Sequence, residues 1–118
     1  MSNQSAELSF HCSELVKVLY EDKSWNTRST TANLEQISAG SATLLAGEHP
    51  PVWRPIAFSL KGHDLYGIVE SLDVDPVLGC FIRVKLDAKH RWRKELVVPD
   101  HFLDLSQPER HAGFRNAA

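Results

Sequence analysis

Imidazoles beside carboxylates and guanidiniums beside an indole are the side chains here whose types and spacing suit chemistry. His63 precedes Asp64, with Asp73 and Asp75 further along. Imidazole and carboxylate together suit a metal ion or an acid and base pair, so His63 with Asp64 or Asp73 is the arrangement a small enzyme would use. All four also fall where turns are expected, and there Asp commonly caps local backbone groups. Asp100, His101 and Asp104 repeat the pattern, with the polar face of a short helix as the ordinary alternative. Arg91, Trp92, Arg93 and Lys94 would bind an anion or a protein partner through an aromatic anchor flanked by cations. The alternative packs Trp92 on the domain and leaves its charged neighbours in water.

Nucleophilic catalysis needs a Ser, Cys or Thr with a positioned base and oxyanion donors in a recognisable setting, and none is present. The chain therefore reads as a binding protein, not an enzyme. Cys12 and Cys80 lack the close spacing of a thiolate metal site or a redox motif, so both read as free thiols and no cofactor is implied. Cys80 lies on the inward register of an alternating strand and is expected in the core, whereas Cys12 is expected near an exposed, loose end.

The elements that must hold these groups follow from composition. At 118 residues, 42% hydrophobic and 24% charged, the chain suits one domain. Its formal charge of −2 gives no pull toward nucleic acid, so no DNA or RNA partner is expected. No apolar run approaches the roughly 20 residues that span a bilayer, and the polar start Met1 to Phe10 does not resemble a signal peptide. A cytoplasmic location without membrane insertion is the expectation. The polar ends predict flexible segments at 1–12 and 106–118 around a domain at 13–105.

Within that domain, short runs of Val, Ile, Leu, Thr and aromatics separated by Gly, Pro, Asn and Asp predict six strands. They are Leu15 to Tyr20, Ser29 to Ile37, Ala42 to Leu45, Pro55 to Leu60, Leu65 to Leu72 and Gly79 to Leu86. Lys61, Gly62 and His63 form the clearest hairpin connection, and Asp73 to Pro76 the next turn. In the last strand Cys80, Ile82, Val84 and Leu86 alternate with Phe81, Arg83, Lys85 and Asp87, which predicts one buried and one wet face. Pro99 suits the first turn of a short helix containing Phe102, Leu103 and Leu105. The expected fold is mainly all-β: a small six-stranded antiparallel barrel with a short C-terminal helix. Tyr66, Phe58 and Phe81 would serve as stacking aromatics in an oligonucleotide-binding barrel, or equally as core residues.

The strand order and three local patterns resemble the PilZ family of barrels. Asn33 to Leu45 is similar to the strand, tight turn and strand that carry the family's D/N-x-S-x-x-G signature, with Ser38 on the signature serine. Leu65, Tyr66, Gly67, Ile68 and Val69 are similar to the family's L-x-G-x-V strand, and Gly79 to Val84 to its closing strand. The resemblance covers roughly Leu15 to Leu86. It implies a PilZ-like barrel and, as ligand, the bacterial second messenger cyclic diguanylate.

Two phosphates and two guanines call for arginine forks, with carboxylate and hydroxyl groups for the guanine edges. This sequence departs from the signature in two places. No arginine precedes Arg28, so the family's R-x-x-x-R segment is absent, and Gln36 and Ser41 stand at the acidic and final-glycine positions. The resemblance therefore implies weakened or lost nucleotide binding, and a signalling adaptor that works through a protein partner or as a homodimer. The alternative is a receptor that still binds cyclic diguanylate through Arg28, Gln36, Ser38 and Ser41.

Overall fold

The computed structural model describes residues 8–103. Six strands run through them: β1 (Ser9–Glu21), β2 (Thr27–Ser38), β3 (Ser41–Ala46), β4 (Pro55–Leu60), β5 (His63–Asp75) and β6 (Gly79–Leu86). Every pairing is antiparallel, and the order β1-β2-β3-β6-β5-β4 closes on itself because β1 pairs with both β2 and β4. The expected six-stranded antiparallel barrel is the fold observed. Closure leaves few backbone groups without a ladder partner.

Alternation builds the core. On β1 the even positions Phe10, Cys12, Val16, Val18 and Tyr20 point inward while Leu15 and Leu19 point out. Cys80, Ile82, Val84 and Leu86 fill the β6 side as expected, and Phe58, Leu34, Ile37, Leu44 and Leu65 complete the interior. Phe58 is therefore a core residue and offers no stacking surface. Between β4 and β5 the connection is two residues long, with Lys61 and Gly62 both at positive φ (+50° and +86°) and His63 already paired with Leu60. That is the primed turn whose twist suits a tight hairpin.

Several boundaries differ from the sequence expectation. β1 begins at Ser9, so residues 9–12 belong to the barrel and not to a flexible segment, and Cys12 is buried. The cause is that Phe10 and Cys12 continue the inward register across the polar pair Ser13 and Glu14. β5 continues through Asp73 to Asp75, with the turn after it, where Asp75 accepts the N–H groups of Val77 and Leu78. Residues 99–103 form a turn and a bridge to β1, not a helix. Ser13 N–H donates to the Asp100 carbonyl and Leu103 N–H to the His11 carbonyl, so the edge of β1 that β4 does not cover draws this segment out. His101 holds a left-handed φ of +55°, which interrupts helix formation. Leu105, Asp104 and the tail at 106–118 lie outside the described residues.

Antiparallel connectivity gives the barrel two distinct ends. One carries the β2–β3 and β4–β5 turns and is plugged by residues 87–103. The other, open end carries the β1–β2, β3–β4 and β5–β6 connections.

Candidate binding groove on the barrel wall

A concave groove of about 550 Å³ lies on the outer wall. Its floor is a single cross-strand row. His11 pairs with Gln36, Gln36 with Thr43, Thr43 with Arg83, and Arg83 with Ser71, which carries the row over β1, β2, β3, β6 and β5. His11, Thr43 and Arg83 face out because both strand neighbours of each face in, whereas Gln36 and Ser71 each follow an irregularity in the register. Phe81 and Asp73, themselves paired, line the groove one step toward the open end.

The concavity has a local cause. Register shifts occur between His11 and Glu14 on β1, between Leu34 and Gln36 on β2, and between Val69 and Ser71 on β5, so three bulges fall at the level of the row. An extra residue bends a strand and redirects a side chain. On β2 the extra residue is Glu35, which reaches the groove and accepts from Asn33 Nδ2. On β5 it is Glu70, whose carboxylate stands 3.8 Å from Arg83 Nε.

Beside this groove a smaller polar depression of about 160 Å³ shares Gln36, Thr43 and Arg83 and adds Ser9, Ser38 and Ser41. Here Ser38, Ser41 and Gln36 do come together. Ser38 is buried, its Oγ accepting from Ser41 N–H at 3.1 Å and lying 2.8 Å from Ser41 Oγ. The two hydroxyls thus tie the β2–β3 turn shut. Gln36 takes a hydrogen bond from Ser9 Oγ at 3.4 Å, and its amide nitrogen lies 3.5 Å from His11 Nδ1.

Arg28 is not part of this cluster. It pairs with Tyr20 at the open end of β2, some ten residues from Ser38 or roughly 30 Å along an extended strand. Its guanidinium faces the Asp22 carboxylate at 3.9 Å. The groove's guanidinium is instead Arg83, which pairs with Glu70 and shares the groove with the carboxylates of Glu35 and Asp73.

Trp92 is 2% exposed and plugs the closed end. Its backbone N–H donates to the Ala39 carbonyl, its indole N–H donates to the Val97 carbonyl at 2.8 Å, and its ring meets Phe10 edge-on at 5.8 Å. The anchor expected at a partner surface is thereby a core residue, since an indole of that area gains more from Phe10 and Phe102 than from water. Arg91 and Arg93 remain exposed.

His63 opens β5 and Asp73 lies near its far end, so the two do not meet. His63 and Asp64 are strand neighbours and point to opposite faces. Among the described residues no group of three or more His, Cys, Asp or Glu is placed to hold a metal ion.

Sequence reasoning missed His11, Thr43 and Arg83 as site residues. Arg83 carried a legible signal, its outward phase on β6. Which residues it would stand beside depends on bulges that no propensity announces. Among the described residues no helix is long and apolar enough to cross a membrane. No protein-family model, curated protein or solved structure matches the chain.

Proposed function

We propose that this chain is a PilZ-like signalling barrel of cyclic diguanylate-related bacterial regulation, one that acts through protein contact and whose nucleotide site is weakened. One observation carries the reading: at the signature positions Ser38 and Ser41 bond to each other, while the adjoining groove holds one guanidinium, Arg83, with the carboxylates of Glu35 and Asp73 in its lining and that of Glu70 paired to it from outside. A ligand with two phosphates needs cationic forks, and Glu35 and Asp73 would oppose it. A groove of mixed charge with apolar surface between its charges, spread over five strands, instead suits a segment of another protein, whose charges such a surface can align. Neither reading asks for a reaction.

The groove's volume, within the range usual for small-molecule sites, favours a second reading. In it the nucleotide lies in the groove on Gln36 and Arg83 and reaches Ser38 and Ser41 in the adjoining depression. Isothermal titration with cyclic diguanylate separates the two. The adaptor reading expects no saturable heat up to about 100 µM ligand. Micromolar binding that Arg83→Ala weakens about tenfold or more, with thermal unfolding unchanged, would establish the receptor instead.

A further inference from the structure

Three connections meet at the open end, and each lifts apolar side chains into solvent. Trp25 (61% exposed) stands on the β1–β2 tip, Trp53 (66%) with Val52 on the β3–β4 loop, and Val77 (87%) with Leu78 on the β5–β6 tip. The connections adjoin one another. Arg54 from the second lies 3.4 Å above the Trp25 ring of the first, and it also donates to the Asp22 carbonyl. A Cβ on Gly79 would lie 2.6 Å from the Ala46 carbonyl oxygen, so the third tip abuts the start of the second.

Both tryptophans hold the left-handed conformation, with φ of +64° and +65°. Bulky side chains rarely sit there, and Gly or Asn would hold either turn with less strain. Neither indole is buried in return. Strain retained to display an aromatic side chain marks a contact residue.

Charge and area specify what makes the contact. Lys23, Arg28 and Arg54 share this end with Glu21, Asp22, Glu48 and Asp75. Many are paired locally: Asp22 with Arg28, Glu48 with the Tyr20 hydroxyl, and Asp75 with two backbone N–H groups. A nucleic acid or an anionic lipid surface meets no one-signed field here, and a second copy meets no repulsion. The five apolar side chains expose on the order of 600 Å² together. That is at the upper limit of patches on monomers and close to the roughly 800 Å² per partner of a stable interface.

We propose that the open end is a homodimerisation surface. Two barrels meet end to end about a two-fold axis, with Trp25, Trp53, Val77 and Leu78 packed between them, as an isologous contact of a self-complementary patch requires. The wall groove lies outside this contact, so the inference stands or falls separately from the function proposed above.

Sedimentation velocity from about 1 to about 200 µM tests it. The wild-type protein is expected to convert reversibly from monomer to dimer in this range. The double variant Trp25→Asn/Trp53→Asn, which keeps residues tolerant of left-handed φ, is expected to weaken association about tenfold or more without losing its far-UV circular dichroism. Val77→Ser/Leu78→Ser should do the same from the third tip, where no tryptophan backbone is involved. A wild-type monomer at every concentration, or a dimer that both variants leave intact, overturns the proposal. So does a monomer that co-sediments with phosphatidylcholine vesicles and loses this binding in the Trp25/Trp53 variant, because the end would then be a lipid-binding surface.

Discussion

The Cys12 thiol donates to the Leu34 carbonyl at 3.6 Å inside the barrel. Burial first, and then Glu35 and Glu14, push its pKa from the ordinary 9.0 up to about 12. Burial raises that of Cys80 as well. Because a raised folded pKa favours the native state only where the thiol stays protonated, the contribution of Cys12 is complete below about pH 9 and is lost as pH rises toward 12. The urea midpoint should therefore fall across that window in the wild type and fall less in Cys12→Ala, which has no proton to release. A thiol reagent at pH 8 should find both cysteines unreactive in the native protein and both reactive after denaturation; fast native labelling of Cys12 would place it outside the core. Its burial was hidden in the sequence by Ser13 and Glu14, which interrupt the apolar run and conceal an inward register reaching back to Phe10. Cys80 was legible because nothing interrupts the alternation around it.

At the scale of the elements, β5 and β6 approach so closely at Gly67 that a Cβ there would lie 2.2 Å from the Lys85 carbonyl oxygen and 3.0 Å from Leu86 Cα. Both obstacles are backbone, so no rotamer change relieves them, and Gly67→Ala is expected to cost about 3 kcal/mol in urea unfolding. At Gly62 a Cβ would meet open space and only the φ of +86° resists it, so Gly62→Ala should cost about 1 kcal/mol. Equal costs at the two positions would contradict the close approach. β4 and β6 kept their expected bounds, because Pro55 and Gly79 open them and period-two apolar runs fill them. β1 and β5 proved longer than expected, since the polar start of the chain reads as a loose end and Asp73 and Asp75 read as turn formers when taken alone. The row from His11 to Ser71 was not legible, because three bulges set its register. Pro99 carried a helix-start signal that lost to the uncovered backbone of β1, an interaction partner far away in sequence.

In the molecule as a whole, Trp92 joins the last described segment to the barrel. Leu86 N–H and Trp92 N–H donate to the carbonyls of Gly40 and Ala39, so the segment after β6 is fastened to the β2–β3 turn that carries Ser38 and Ser41. The plug and the smaller polar depression thus share one turn, whereas the apolar open end lies at the opposite mouth. Truncation to Trp92→Ala removes the ring that meets Phe10 and Phe102 and should cost about 3–5 kcal/mol. Trp92→Phe retains an aromatic ring, loses the indole hydrogen bond to the Val97 carbonyl, and should cost less, about 1–2 kcal/mol. Fluorescence of the dilute monomer makes the assignment separable from stability, since in the single barrel Trp25 and Trp53 are exposed while Trp92 is buried. Acrylamide should quench the native wild type in two classes, and the protected class should be missing from Trp92→Phe while its circular dichroism is unchanged. If Trp92 instead anchored a partner from the surface, Trp92→Ala would leave stability nearly intact and all three indoles would quench alike.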